Sequence, residues 1–214
     1  ASPNPRPLLE RGLETLLDDR RRSYAAVDLV VDGRGPPDEV APRVEAAAQH
    51  LGVVLSRLVE AETRIVAGRG LEAAVTGAVA HLEPTRPVLL IRDRGVPEAT
   101  RRRLEAGIAE HFPVHALDLE GGEISKTWAV LGRVLEAALE AGCGRQSVVV
   151  GVGGGAVCDL SNLAAHLLGR GAESVLVPTT LLAQVDASVG GKCAVNHASQ
   201  RNSVGAFHAP AEVV

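Results

Sequence analysis

Apolar residues along this chain change period several times, and each change marks an element. Leu8, Leu9, Leu13, Leu16 and Leu17 recur at helical spacing, Val27 to Val31 is a short β-rich run, and residues 38–51 are Ala-rich and amphipathic. The first fifty residues therefore read as helix, strand, helix. Two β-rich runs follow, Val53–Val59 and Thr63–Ala67, and the change of pattern sets an expected domain boundary near residue 52. Beyond it helices and strands alternate: helix 71–81, strand 88–92, helix 97–111, strand 114–119, helix 126–141, strand 147–152, helix 156–168 and strand 174–177. Continuous apolar strands such as VLLI (88–91) and SVVVGV (147–152), separated by helices, predict an α/β fold. The expected architecture is a doubly wound, mostly parallel sheet over residues 53–214, preceded by a short helix-strand-helix segment over 1–52.

Composition narrows the chemistry. Hydrophobic residues are 46% of the 214, enough for a core, but aromatic residues are only 2%, so base stacking on aromatic platforms has almost nothing to use. A net charge of −4 supplies no polybasic surface for nucleic acid or anionic lipid, and no run approaches a membrane span. A small-molecule enzyme of the cytoplasm, with no nucleic-acid or membrane partner, is the expectation. The three cysteines, Cys143, Cys158 and Cys193, have no C-x-x-C spacing and are expected as reduced thiols. Of 22 basic residues only Lys126 and Lys192 are lysines. Where nearly every basic site has become Arg, a surviving Lys marks a place for a compact ammonium.

Four constellations can carry chemistry. Gly151 to Asp159 (GVGGGAVCD) lies between an apolar strand and an amphipathic helix, where backbone N–H groups and a helix N-terminus suit a pyrophosphate. Gly121 to Lys126 (GGEISK) follows another strand and offers an acid for ribose hydroxyls beside a lysine. Thr179-Thr180 end a third strand. Asp186 to Asn196 (DASVGGKCAVN), with Arg201-Asn202 beyond, suits a polyhydroxylated anionic substrate. Each has a plainer alternative: a tight turn, an acid favoured by a helix dipole, a threonine cap, a solvated loop. Of the seven histidines only His111 and His115 are four apart, and Pro113 between them breaks the helix a two-His metal site needs. His197 and His208, beside the Lys192 segment, are the two to follow.

The strings GGGAVCDL (153–160), GRG (169–171), VPTTLLAQVDASVGGKCAVN (177–196) and RNSVGAF (201–207) resemble the 3-dehydroquinate synthase family of NAD-dependent sugar phosphate cyclases, from about residue 53 onward. The resemblance implies NAD binding by Asp93, Gly121, Gly122, Glu123, Ile124, Ser125, Lys126, Gly154, Gly155, Ala156, Val157, Cys158, Asp159, Thr179, Thr180, Lys192 and Arg201. It implies catalytic roles for Asp186, Lys192 and Asn202, and for Arg170 across a homodimer interface. The family cyclises a seven-carbon keto-sugar acid phosphate with loss of phosphate. Its Zn²⁺ or Co²⁺ ligands belong to a C-terminal helical domain that matches nothing in this sequence, so the chain is expected to be a truncated piece. Cys158, Ser161-Asn162-Leu163 and Arg201 stand where the family commonly has Gly, Ala-Gly-Phe and Lys. Residues 1–52 resemble instead the C-terminal end of shikimate kinase, through NPRPLL (4–9) and Arg20 four residues before Tyr24, which implies a fused shikimate-pathway enzyme. Another sugar phosphate cyclase, an iron-dependent polyol dehydrogenase, and a silent nucleotide-binding or assembly module remain the alternatives.

Overall fold

Strands form where Val, Leu and Ile run unbroken between turn residues, and helices where the apolar stripe recurs every three to four positions. The computed structural model describes residues 53–58, 61–68, 72–80 and 85–214. The expected helix-strand-helix of the first fifty residues lies outside them. In chain order the elements are β1 (Val53–Leu58), β2 (Ala61–Val66), α1 (Glu72–Val79), β3 (Val88–Asp93), α2 (Glu98–Ala109), β4 (Val114–Leu119), α3 (Gly122–Ser125), α4 (Trp128–Glu140), β5 (Val148–Gly153), α5 (Gly155–Leu167), β6 (Glu173–Pro178), β7 (Lys192–His197), β8 (Gln200–Phe207) and β9 (Glu212–Val213).

Among the described residues seven strands make one sheet in the order β1-β2-β9-β6-β5-β3-β4, parallel throughout except for the β1–β2 hairpin. The parallel, doubly wound sheet expected from the apolar runs is present. After β4 the chain returns to the other side of β3, so the topological switch lies between the carboxyl ends of β3 and β5, where Asp93 and Gly153 sit. Ligands of open α/β sheets bind at such a switch. Both faces are covered, as the unbroken apolar runs require. Leu89, Ile91 and Val149 face α4 and α5, while Val88, Leu90, Val148 and Val150 face α1 and α2.

Three features depart from expectation. The helix expected from Lys126 starts at Trp128, after a short separate helix α3 that ends at Ser125; Thr127 caps α4, its hydroxyl accepting from the Val130 N–H at 3.2 Å. The glycine-rich turn is shorter than the motif, because Gly151 and Gly153 belong to β5. The stretch after Gly191, read as a loop, is the antiparallel hairpin β7–β8. Its inner residues Cys193 and Val195 are buried in the α4–α5 cluster, and each fully buried side chain of Val size contributes about 1.5–3 kcal/mol to holding it there. Gly205 allows the two strands to meet, since a Cβ there would overlap the Cys193 carbonyl.

Buried polar side chains lock the elements that carry the sheet's ends. The Asn162 amide donates to the His208 carbonyl at 2.7 Å and accepts from the Ser174 hydroxyl at 2.6 Å, tying α5 to β6 and to the segment entering β9. All three cysteines are free and buried; burial pushes the Cys158 thiol up to about 12 and the Cys193 thiol up to about 11, so both are inert near neutrality. At the β3–β4 edge, Arg92 reaches Asp118 at 2.7 Å and Glu105 at 2.5 Å, and Arg101 reaches Asp118 at 2.6 Å.

Burial pushes the Asp118 carboxyl up, but hydrogen bonds from Arg101 and Arg92 and their charges outweigh it and hold the group below its ordinary value. A depressed folded-state pKa contributes stability that is complete above the unfolded value near 3.8 and is lost as pH falls through the lower folded value. Asp118→Ala should destabilise by about 1–3 kcal/mol at pH 7, because the nearly buried Arg92 loses a partner, and the deficit should shrink below about pH 3. Urea unfolding of both proteins across pH 2–7 measures it.

Candidate functional site

Three chain segments converge at the carboxyl end of the parallel sheet, and glycines let them approach. Gly121, at φ +73°, sits so close to Asp93 that a Cβ would overlap its carboxylate. A Cβ on Gly153 would come within 2.8 Å of the Asp93 Cβ and 2.9 Å of the Val157 Cβ. The switch-point crevice is therefore floored by backbone. Asp93 Oδ1 accepts from the Gly95 N–H at 2.8 Å, which turns the chain away from the crevice.

Helix α5 opens on Gly154 with no side-chain cap, in contrast to α4. An uncapped N-terminus at a switch point, with unbranched glycine backbone around it, is a place for an anion. Thr180 flanks Gly154, with 3.5 Å between its methyl and the position of a Cβ there, and the Thr179 N–H donates to the Gly153 carbonyl at 2.9 Å. Both threonines are exposed. Behind them one turn of π-helix, Ala183–Ala187, closed by Ser188 N–H to Ala183 O at 3.0 Å, brings Ala187 to 3.4 Å from a Cβ on Gly155 and carries the exposed Asp186.

Lys126 holds the site together. Its ammonium pairs with Asp159 of α5 in a setting where both side chains are largely buried. Burial is the strongest influence on Asp159 and pushes its carboxyl up; Lys126 opposes, and the charges of Asp186 and Glu123 push it further up. The Lys126 carbonyl accepts from the Asn196 N–H at 2.8 Å, fastening β7 to the GGEISK segment. Glu123 then meets the hairpin: Asn196 Nδ2 donates to one carboxylate oxygen at 2.8 Å and Arg201 Nη2 to the other at 2.9 Å. The hydrogen bond from Asn196 is the chief cause holding the Glu123 carboxyl below its ordinary range; burial opposes, and Arg201 and Lys126 add to the lowering.

Residues implicated from the sequence fall into groups. Asp93, Gly121 and Gly122, then Glu123, Lys126 and Asp159, then Gly154, Gly155 and Ala156 with Thr179 and Thr180, line the carboxyl end of the sheet. Val157 and Cys158 are buried, so only their backbone faces outward; Ser125 is buried too, and its hydroxyl donates to the Gly121 carbonyl at 3.4 Å; Ile124 is exposed. Lys192, Arg201 and Asn202 are exposed on the hairpin. Arg170 is separate. It follows α5 in a short 3-10 turn, in the left-handed region at φ +66° between Gly169 and Gly171. A 13-residue helix is about 20 Å long, which places Arg170 beyond side-chain reach of Gly155. His208 packs edge-on against His166 at 5.5 Å and its N–H donates to the Gly191 carbonyl, while His197 is exposed at the hairpin turn. Asn196 and Asn162 carry more of the geometry than the motifs suggested. Cys193 and Val195, two apart and flanked by Lys192 and Asn196, were the available signal for the hairpin.

The described residues contain no group of three or more His, Cys, Asp or Glu that could hold a metal ion, so they do not fit a catalytic metal. No helix among them is long and apolar enough to cross a membrane. Lys126→Ala should cost about 3 kcal/mol in chemical unfolding by leaving Asp159 buried without a partner. The double change Lys126→Met with Asp159→Leu should recover most of that loss while removing the site's charge pair.

Residues 116–214 match the family model for the 3-dehydroquinate synthase N-terminal segment. A 3-dehydroquinate synthase from Bradyrhizobium diazoefficiens is 44% identical over 151 residues, 70% of this chain and 40% of that protein. The chain thus spans about two fifths of the length of such relatives. Among solved structures, a 2-deoxy-scyllo-inosose synthase complexed with carbaglucose-6-phosphate, NAD⁺ and Co²⁺ matches with a TM-score of 0.68 at 28% identity, covering 75% of this chain and 44% of that one. A 2-epi-5-epi-valiolone synthase from Streptomyces hygroscopicus with NAD⁺ and Zn²⁺ bound matches with a TM-score of 0.63 at 28% identity, over 75% of this chain and 44% of that one. Residues 116–214 are thus similar to the N-terminal segment of the 3-dehydroquinate synthases, over part of this chain and about two fifths of those relatives.

Proposed function

We propose that residues 53–214 are the NAD-binding half of a 3-dehydroquinate synthase, a phosphate-eliminating lyase that cyclises a seven-carbon keto-sugar acid phosphate. The observation that carries the reading is the backbone-floored crevice at the β3–β5 switch, where the uncapped N-terminus of α5 meets Glu123 and the Thr179-Thr180 pair. The fit is chemical. A dinucleotide needs pyrophosphate donors, an acid for ribose hydroxyls and hydroxyls beside them, and this crevice offers each.

Bound there, NAD would supply a reversible hydride acceptor at one carbon of the substrate. The chain's own residues would bind and orient. Amides of Gly154, Gly155 and Ala156 take the pyrophosphate, Glu123 stays ionised and accepts from ribose hydroxyls, and Asp93 stands on the adenosine side. Lys192, Arg201 and Asn202 present donors to an anionic, hydroxylated substrate, with Asp186 as an acceptor. Zn²⁺ or Co²⁺ would be held by residues other than the described ones and would act as a Lewis acid. Arg170, a helix length from the crevice, would serve the site of a second copy in a homodimer. Residues 1–52, on the strength of NPRPLL and the Arg20–Tyr24 spacing, would be the tail of a shikimate kinase in a fused polypeptide.

Gly155→Leu should weaken NAD binding at least about tenfold, because its side chain would enter the space between α5 and Ala187 where the backbone must meet the pyrophosphate. Calorimetric titration decides it; equal affinities would remove the glycine turn from the site. In a longer polypeptide that includes the metal-holding domain, Lys192→Ala should cost about 2–5 kcal/mol in kcat/KM. Lys192→Arg should also lose activity, since a planar fork does not replace a point charge. Phosphate release is the measurement.

A further inference from the structure

Both oxygens of the Glu123 carboxylate are held by the hairpin, one by Asn196 Nδ2 at 2.8 Å and one by Arg201 Nη2 at 2.9 Å. Asn196 is engaged through both its side chain and its backbone. Its backbone N–H donates to the Lys126 carbonyl at 2.8 Å, beside the bridge that Asn196 forms with Thr127. Its Oδ1 accepts from the Asn202 N–H at 2.9 Å, and Asn202 lies in the left-handed region at φ +53°. A carboxylate can only accept and an N–H can only donate, so the two partners fix which way the amide points. One side chain of β7 therefore joins α3 to the start of β8.

We propose that Asn196 is a positioning residue that makes the Glu123 carboxylate and the Arg201–Asn202 start of β8 a single unit, so that filling the cofactor side sets the substrate side. The inference rests on the reading of Glu123 as the ribose-binding acid. Asn suits the position because its amide donates to a carboxylate through one atom while accepting from a backbone N–H through another. Asp at 196 would keep the acceptor for Asn202 but face Glu123 with a like charge. Ser at 196 would be neutral and too short to span both partners. Lys126 and Arg201 face Glu123 with positive charge, and Asp159 faces it with negative charge.

The test uses NAD itself, the 214-residue chain, and the variants Asn196→Asp and Asn196→Ser. Affinity is read from the emission of Trp128, the sole tryptophan, which lies two residues beyond Lys126. Hydrogen exchange reads the amides of residues 192–207. In the wild type NAD should slow exchange across the hairpin. Asn196→Asp should bind NAD about tenfold more weakly near pH 7.5 and lose that protection. On acidification to about pH 5 a proton shared between the new carboxyl and Glu123 should restore the donor and recover most of the affinity. Asn196→Ser should lose affinity without recovery, which separates loss of the hydrogen bond from general disruption. The inference is overturned if Asn196→Asp keeps wild-type affinity and protection, or if its loss is independent of pH. It is also overturned if wild-type NAD binding leaves the hairpin unprotected. A wild-type chain with no affinity for NAD overturns the cofactor reading first, and this inference with it.

Discussion

Lys126 and Asp159 form an ion pair between two segments that share no hydrogen-bonded strand. Burying two charges costs several kcal/mol per ion, and only close pairing with further hydrogen bonds offsets that. The pair therefore constrains the GGEISK loop and α5 to one relative position. The hairpin is constrained in turn, because the carbonyl of the same lysine holds Asn196. With those three segments placed, Glu123 has both its partners and the crevice has its wall. Arg in place of Lys126 would need room for a planar fork beside Asp159, which accounts physically for a lysine surviving in so Arg-rich a chain.

The floor of the crevice follows a second rule, the absence of side chains. Gly121, just past β4, and Gly153, at the end of β5, both approach Asp93, and a Cβ on either would overlap its side chain. Cys158 stands where the resemblance has Gly. Its buried thiol packs with Leu176 and Ala183 and donates to the Gly153 carbonyl at 3.6 Å. Arg201, where the family commonly has Lys, keeps its charge and uses it on Glu123. The site thus combines open backbone, a few fixed charges and exposed hydroxyls, a composition suited to a polyanionic, polyhydroxylated ligand.

Much of this was legible in the sequence because it is local. Unbroken apolar runs at 88–91 and 147–152 can lie only in strands covered on both faces, and the alternation with helices sets a parallel sheet. Strand β4 lies where the pattern put it, and the neighbouring elements differ by a residue or two at their ends, the usual uncertainty of helix and strand termini. Local signals failed where a residue serves two purposes. Lys126 was read as opening a helix, but its pairing with Asp159 and the Thr127 cap place it in a break between two helices. The segment 186–202 was read as a loop because its glycines and charges outweighed a brief alternation of apolar residues. Packing of Cys193 and Val195 against α4 and α5 makes residues 192–207 a hairpin.

By itself the sequence determined the fold class, the order of strands and helices from β1 to β6, and the residue types that could meet a dinucleotide. Those depend on periodicity and on the chemistry of glycine, lysine and carboxylates, which any reader of one dimension can apply. Tertiary structure decided which of those residues face one another. Pairing Lys126 with Asp159 across 33 positions, and Asn196 with Glu123 across 73, depends on how β7 and α5 pack over the sheet. Arg170 was separated from the crevice by the length of the very helix whose other end helps to form it. Sequence spacing says nothing of such encounters, because long-range contacts are selected by burial and charge compensation acting on the whole core at once.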